Sequence, residues 1–316
     1  MMPAIGVDVG GTKILAAVVD ERGTVLARQQ RPTPRQDAPG AGEAAIREIA
    51  ALVASLAAVH EVRGVGIGVA GRVDPDRRRV LTAANIGWQG QDVAHAVEAA
   101  TGLDTVVEND ANAAAWGEFR FGAAAGFEDV VMITVGTGIG GGLVLGGALR
   151  RGFRGGAGEV GHMTFEVDGR PCGCGRHGCW EQYASGRALV REAVALGLLA
   201  SEDPPRPVAS GDDAVLGRDV LSAAEGGNAA ALAAFDRVGI ALGRGLADLA
   251  EALDPQAFVI GGGVSEAGGH LLGPARRTLE RELADWAPEA KPAVLVARLG
   301  NSAGVVGVAD LLGSPT

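Results

Sequence analysis

No run of about 18 uninterrupted apolar residues occurs in the 316-residue sequence, and a membrane-spanning helix needs such a run. The N-terminus has no basic segment ahead of an apolar one, which is the pattern of a secretory signal. The sequence therefore predicts neither a membrane span nor a signal peptide. We expect a cytoplasmic protein with no membrane partner.

The charge balance of the chain argues against a nucleic-acid surface. The sequence has 28 Lys and Arg against 38 Asp and Glu, which gives a formal net charge of -10 and a pI near 5.1. Duplex binding depends on a basic footprint, so this balance counts against nucleic acid as a partner. Only Lys13 and Lys291 are lysines, a bias that we attribute to genome composition, although Lys13 lies in a glycine turn.

Cysteine is scarce and confined to one short segment, with Cys172, Cys174 and Cys179 and none elsewhere. Three cysteines this close together in a cytosolic chain favour a metal over disulfides. Structural zinc takes four ligands, and we predict His162 as the fourth, with His177 as the competitor. The alternative is three free thiols.

Glycine, in contrast, is abundant. The 51 glycines make up about 16% of the chain, roughly twice the usual share. They cluster beside apolar runs, which is typical of backbone turns that approach a ligand closely. The length suits two domains, and a 47% apolar composition is enough for two cores.

One structural unit is used twice in the sequence. Residues 4–9 and 14–20 read as strands around a glycine turn, and residues 129–135 and 143–145 repeat the arrangement around 136–142. No helix directly follows the first glycines, so a Rossmann or P-loop motif does not fit. We predict a duplicated α/β core. Its domains are 1–118 and 119–300, and a C-terminal helix in 301–316 packs back on the first domain.

The two glycine turns are candidate phosphate sites. Backbone N–H groups can cradle a polyphosphate where glycine lets the main chain come close. A third turn, at Gly261-Gly262-Gly263, suits a purine. Asp8 precedes the first turn and could hold Mg²⁺ directly or through water. The alternatives are plain hairpins and, for Asp8, a turn cap. The candidate phosphate-binding residues are Gly10, Gly11, Thr12, Lys13, Gly136, Thr137 and Gly138.

Asp110 is the candidate general base. A β-branched run ends in Glu108-Asn109-Asp110 and an alanine-rich helical stretch follows, so Asn109 or Asp110 lies at a helix N-cap. Open α/β sheets bind ligands at the carboxyl ends of their strands, and the helix dipole favours an ionised carboxylate there. The alternative is that Asp110 serves only as a helix cap.

Polar residues bracket the cysteine segment. Glu159 and His162 precede it and Glu181 follows it. Carboxylates and an imidazole held rigidly beside a metal suit a sugar, whose hydroxyls need several fixed hydrogen-bonding partners. The alternative is that these residues form surface salt bridges.

Taken together, these motifs resemble the ROK family of bacterial sugar kinases and repressors, within the actin-like and hexokinase-like superfamily. The resemblance covers nearly the whole chain and is greatest to actinobacterial members that phosphorylate glucose with ATP. The matching motifs are Asp8–Lys13, Glu108–Asp110, Gly136–Gly142, Glu159–His162, Cys172-x-Cys174-x4-Cys179, Trp180–Gly186 and Gly261–Val264.

The resemblance implies a duplicated, ribonuclease H-like α/β fold with a zinc-loop insertion, and ATP, Mg²⁺ and a structural Zn²⁺ as cofactors. Asp110 would accept the proton of the glucose 6-hydroxyl as it attacks the γ-phosphate. The glycine turns would bind phosphates, Gly261 to Gly263 the adenosine, and the assembly would be a homodimer or homotetramer. The implied sugar-binding residues are Asn85, Asn109, Asp110, Glu159, His162 and Glu181.

Other functions of the same fold remain alternatives. Some ROK members are sugar-sensing repressors with an N-terminal helix-turn-helix domain, for which the residues ahead of Asp8 leave no room. Mannose, fructose or an N-acetylated hexosamine could replace glucose, and polyphosphate could replace ATP.

Overall fold

The computed structural model describes residues 2–35, 38, 40–83, 86–199, 212–285 and 291–313, with the backbone alone at 212–215. The chain divides into two compact units. The first comprises Met1–Met132, Gly142–Gly158 and Ala297–Thr316, and the second comprises Ile133–Gly141 and Glu159–Val296. The predicted domain limits at residues 118 and 300 run differently and remain a prediction.

The strands of the described residues are β1 (Ala4–Val9), β2 (Lys13–Val19), β3 (Val25–Pro32), β4 (Val65–Val69), β5 (Arg72–Val73), β6 (Val80–Ala83), β7 (Trp88–Gln91), β8 (Thr105–Asn109), β9 (Val130–Val135), β10 (Ile139–Leu145), β11 (Ala148–Arg150), β12 (Ala257–Gly261) and β13 (Ala293–Val296). The α-helices are α1 (Ala41–Ala57), α2 (Val93–Thr101), α3 (Asp110–Phe121), α4 (Glu181–Ala184), α5 (Gly186–Ala195), α6 (Asp212–Glu225), α7 (Ala229–Leu253), α8 (Gly269–Glu282) and α9 (Ala303–Asp310).

The first sheet has the strand order β3-β2-β1-β4-β8. Its first three strands form an antiparallel meander, whereas β4 pairs parallel with both β1 and β8. Because successive side chains of a strand point to opposite faces, β1 contributes to two cores. Ile5, Val7 and Val9 pack with α1 in one core, and Ala4 packs with α9 in the other.

Two glycines let α9 lie directly on this sheet. Gly6 of β1 and Gly66 of β4 are paired in register. A Cβ at Gly6 would collide with the carbonyl oxygen of Val305, and one at Gly66 with that of Val308. The strands need glycine at both positions because the helix backbone comes too close for any side chain.

The second sheet repeats the order of the first, as β11-β10-β9-β12-β13. The outer pair β10 and β11 is antiparallel, and β12 and β13 are parallel. The repeated order confirms the predicted duplicated α/β fold. Periodicity did not predict the small third sheet, β5-β6-β7, which lies in the first unit.

No helix among the described residues combines the length and the apolar character required to cross a membrane.

Candidate active site and metal cluster

In the first unit, β8 ends at Asn109 and α3 begins at Asp110. Asn109 is the helix cap, because its side-chain oxygen accepts a hydrogen bond from the Asn112 N–H at 3.0 Å. The Asp110 Oδ1 accepts hydrogen bonds from the Ala111 N–H at 2.9 Å and from the Asn109 amide at 3.1 Å. Since Asn109 caps the helix, the Asp110 carboxylate is oriented in the first helical turn rather than used as the cap.

Asp8 lies near Asp110 in the same unit. Burial and the negative charge of Asp110 raise the pKa of Asp8 to about 6, while Lys13 acts in the opposite direction. Two carboxylates that repel each other fit a divalent cation, which would relieve the repulsion and prefers oxygen ligands. The donor set therefore fits Mg²⁺ at Asp8.

The first glycine turn begins two residues after Asp8, at Gly10. It is closed by a 3.0 Å hydrogen bond from the Gly10 N–H to the Lys13 carbonyl, and the Thr33 hydroxyl donates to the Gly10 carbonyl at 2.6 Å. Gly11, Thr12 and Lys13 at its tip are exposed. The tip of the turn is therefore accessible to a phosphate.

Replacing Asp8 with Asn is expected to raise the melting temperature of the protein at about pH 7.5 without Mg²⁺ or nucleotide. The Asp8 pKa is 3.8 ordinarily and about 6 when folded, so stability is lost as the pH rises through this window. Asn removes that cost, and the gain should shrink between about pH 6 and pH 4. Thermal unfolding across this pH range measures it. An unchanged melting temperature of Asp8→Asn at about pH 7.5 would contradict the raised pKa of Asp8.

In the second unit, the other glycine turn is held by hydrogen bonds and close contacts. The Gly136 N–H donates to the Gly138 carbonyl at 3.0 Å, and the Gly136 carbonyl accepts from the Gly186 N–H at 2.8 Å. A Cβ at Gly138 would lie 2.6 Å from the Glu181 Oε2. Glycine at position 138 therefore lets Glu181 lie directly against this turn.

A cavity of about 320 Å³ opens beside this turn, within the usual size range of a small-molecule site. Its walls combine apolar side chains with a few polar groups, as expected for a purine nucleoside. The lining residues are Gly136, Thr137, Gly186, Leu189, Gly217, Arg218, Leu221, Phe235, Gly263, Val264, Glu266 and Ala267.

Of the third glycine turn, only Gly263 lines the cavity. Gly261 is buried at the end of β12, and Gly262 has a φ of 84° with its hypothetical Cβ 2.5 Å from the Val135 carbonyl oxygen. Five of the twelve lining residues belong to α5, α6 and α7 and to none of the sequence motifs. An apolar residue such as Leu221 or Phe235 has the same helical spacing whether it faces a core or a ligand.

Filling the cavity at Gly217 is expected to weaken ATP binding. A Cβ at Gly217 has no neighbour within 4 Å among the described residues, so Gly217→Trp can place its ring in the cavity without displacing the backbone. We expect the KM for ATP to rise at least about tenfold, because the ring occupies the volume that we assign to the base. Steady-state kinetics at saturating sugar measure it. Gly217→Ala is the matched control and should keep the wild-type KM for ATP. An unchanged KM for ATP in Gly217→Trp would show that the nucleotide does not bind in this cavity.

The three cysteines and His162 form a compact cluster. Their ligand atoms all lie within 4.8 Å of one another, and His162 rather than His177 completes the set. The Cys172 Sγ is 3.7 Å from the His162 Nδ1, and the Cys174 and Cys179 Sγ atoms are 3.6 Å apart. A disulfide is about 2.05 Å long, whereas sulfur atoms around tetrahedral zinc are roughly 3.7 Å apart. The donors therefore fit Zn²⁺.

The charges of the thiols also fit a metal. Burial raises the pKa of the Cys172 thiol to about 12. Hydrogen bonds, chiefly from the Arg176 N–H, lower the pKa of the exposed Cys174 to about 6. A metal binds the thiolate form of cysteine. Cys174 ionises easily, and a bound cation would also stabilise the thiolate of the buried Cys172.

The three predicted sugar ligands of the second unit converge beside this cluster. The His162 Nε2 is 4.0 Å from the Glu159 Oε2, and the His162 Nδ1 is 3.9 Å from the Glu181 Oε1. The Glu181 Oε1 also accepts a hydrogen bond from the Cys172 Sγ at 3.0 Å. The preceding residue, Trp180, is fully buried and donates to the Ala241 carbonyl at 2.8 Å, which fixes the start of α4. Asn85, also predicted to bind sugar, lies outside the described residues.

The two five-stranded sheets share one strand order and have a glycine turn after β1 and after β9, which defines the hexokinase-like class of two-domain α/β proteins. Within that class, the ROK family model matches residues 4–314, and the chain belongs to the ROK family. The sequence is 46% identical over 316 residues to a glucokinase of Streptomyces coelicolor, and the match covers 98% of each chain.

Two solved structures of ROK proteins are similar over nearly the full length. One is a ROK family glucokinase from Streptomyces griseus in complex with glucose and AMPPNP, at 47% identity and a TM-score of 0.83, covering 98% of both chains. The other is a ROK hexokinase from Thermus thermophilus, at 39% identity and a TM-score of 0.76, covering 98% of this chain and 97% of that one.

Proposed function

We propose that this chain is an ATP-dependent glucokinase, which transfers the γ-phosphate of ATP to the 6-hydroxyl of D-glucose to give glucose 6-phosphate and ADP. The observation that carries the proposal is the convergence of Glu159, His162 and Glu181 beside the Cys3His cluster. The similarity to the Streptomyces griseus glucokinase, whose structure contains glucose and AMPPNP, supports the choice of both substrates.

Asp110 is proposed as the general base. Its position in the first turn of α3 favours the ionised form, because the positive end of the helix dipole stabilises an anion there. Hydrogen bonds from Asn109 and Ala111 orient the carboxylate. It would accept the proton of the 6-hydroxyl as that oxygen attacks the γ-phosphate.

The sugar is proposed to bind through Glu159, His162 and Glu181 of the second unit. Asn109 and Asn85 remain sugar ligands predicted from the sequence. Carboxylates accept hydrogen bonds from sugar hydroxyls, and an imidazole nitrogen can donate or accept. The His162 Nδ1 lies on the cysteine side, and its Nε2 lies toward Glu159. A structural Zn²⁺ bound by Nδ1 would fix the ring, so that Nε2 is presented to the sugar.

The nucleotide is proposed to bind at the second glycine turn and the cavity beside it, where N–H groups around Gly136, Thr137 and Gly138 would contact the phosphates. The first glycine turn, around Gly10, Gly11 and Thr12, and the positive charge of Lys13 remain a phosphate site predicted from the sequence. The adenosine would occupy the cavity next to Gly263. Asp8 would hold Mg²⁺, which neutralises phosphate charge when bound.

A substrate panel tests the proposal. Purified protein is assayed with Mg-ATP against glucose, mannose, fructose, N-acetylglucosamine and N-acetylmannosamine, and then with polyphosphate as donor. We expect the highest kcat/KM for glucose with ATP. A higher value for another sugar, or a requirement for polyphosphate, would replace the proposed substrate. A cytoplasmic location and a homodimer or homotetramer remain predictions from the sequence.

A further inference from the structure

Glu108, the first residue of the Glu-Asn-Asp motif, has no role in the proposed chemistry and yet is almost fully buried. Its Oε1 accepts hydrogen bonds from the Asn109 N–H at 3.0 Å and from the Asn112 side-chain amide at 3.1 Å. One carboxylate oxygen therefore spans the corner between β8 and α3, on both sides of Asp110.

The other oxygen of Glu108 meets two arginines. The Arg151 Nε donates to the Glu108 Oε2 at 2.6 Å, and the Arg77 Nε lies 3.6 Å from the same atom. The Nη2 atoms of both arginines are buried without a hydrogen-bond partner in the described part of the chain. If the Glu108 carboxylate moved away, the buried charges of both arginines would lose their partner, which is costly. The Glu108 carboxylate therefore has little freedom to move.

Arg77 is itself held by the fold of the first unit. Its backbone adopts a left-handed conformation with φ 59°, and its carbonyl accepts the Val107 N–H at 2.8 Å. Its Nη1 donates to the Leu311 carbonyl at 3.2 Å. Burial and the nearby charge of Arg151 lower the pKa of Arg77 to about 10, which still leaves it charged at neutral pH.

We propose that Glu108, Arg77 and Arg151 are positioning residues that set the Asp110 carboxylate in its reactive orientation. The inference rests on the proposed function, in which Asp110 is the general base. The arginines fix the Glu108 carboxylate, Glu108 fixes the Asn109 backbone, and Asn109 donates to the Asp110 Oδ1. Phosphoryl transfer relies mainly on positioning, so a displacement of about 1 Å at the base costs up to about a hundredfold in rate.

Glu108→Gln is the first test, because glutamine can still accept from the Asn109 N–H but presents a donor to Arg151. We expect kcat for glucose to fall by about tenfold to a hundredfold, with the KM for ATP within about twofold. Arg151→Met should lose about tenfold, and Arg151→Lys should retain most of the rate because it keeps the charge. The two Arg151 variants keep the proposal testable if Glu108→Gln does not fold.

A double-mutant cycle separates positioning from general stability. In an Asp110→Asn background, Glu108→Gln should leave the residual rate within about twofold, because Asp110 no longer acts as the base. The matched control is Glu118→Gln. Glu118 is a buried glutamate of α3, the helix that begins at Asp110, and it accepts hydrogen bonds from the N–H groups of Ala123, Arg298 and Leu299. Glu118→Gln should lower the melting temperature without lowering kcat.

Three results would overturn the inference. The first is a wild-type kcat in Glu108→Gln or Arg151→Met. The second is that Glu108→Gln lowers the rate by the same factor in the Asp110→Asn background as in the wild type. The third is that Glu118→Gln lowers kcat as much as Glu108→Gln does. Failure of the proposed function would look different. The wild-type protein would then not phosphorylate glucose, or Asp110→Asn alone would leave kcat unchanged.

Discussion

Asp110→Asn is expected to lower kcat for glucose phosphorylation by about a hundredfold or more, while the dissociation constant for glucose stays within about threefold. An asparagine side-chain oxygen can still accept the hydrogen bonds that the Asp110 Oδ1 receives from Asn109 and Ala111. The geometry of the corner is thereby kept, and only the ability to accept a proton is lost.

Single-turnover kinetics and calorimetric glucose binding measure the two quantities separately. The matched control is Asp92→Asn. Asp92 also lies at a helix start, where its side chain accepts the His95 N–H at 3.1 Å, and asparagine caps as well as aspartate does. We expect wild-type kinetics from this control. A kcat for Asp110→Asn within a few-fold of wild type would remove Asp110 from the role of base.

Cys179→Ser is expected to remove the metal and to raise the KM for glucose by about tenfold to a hundredfold. Cys179 is buried, and Trp180 and Glu181 follow it in sequence, so the cluster and the sugar ligands share one short segment. Without the metal, the orientation of His162 and Glu181 is no longer fixed. Buried thiols without a metal also lower stability, so the melting temperature should fall.

Elemental analysis and glucose kinetics test this prediction. Wild-type protein should carry about one zinc per chain, and Cys179→Ser close to none. His177→Ala is the matched control, because His177 lies in the same loop but outside the cluster. It should retain both the zinc and the KM. A metal-free Cys179→Ser protein with a wild-type KM for glucose would show that sugar binding does not need the metal cluster.

The local features of the fold could be predicted because they are written in short stretches of sequence. An apolar run with a glycine turn predicted β1 and β2, and again β9 and β10. Polar residues before an alanine-rich stretch predicted a helix capped at Asn109 or Asp110, and α3 begins at Asp110. The cysteine spacing predicted the metal cluster, with His162 as the fourth ligand and His177 as its competitor. The structure selects His162 because the fold brings it within reach of all three sulfur atoms.

The parts that could not be predicted depend on contacts between distant positions. Arg77 and Arg151 meet Glu108 from 31 and 43 residues away, and nothing in their local sequence distinguishes them from the other arginines. The cavity wall could not be predicted for the same reason, because Leu189 and Phe235 lie on different helices and have the sequence pattern of core residues. Gly261 reads as part of a ligand turn but completes a buried strand.

Identification of the reaction product tests the central claim most directly. Purified protein is incubated with glucose and Mg-ATP, and the phosphorus resonances are followed by NMR. We predict that ATP is converted to ADP with stoichiometric formation of glucose 6-phosphate, and that no product forms without glucose. Release of inorganic phosphate alone, phosphorylation of another hydroxyl, or no turnover of ATP would contradict the assignment as a glucokinase.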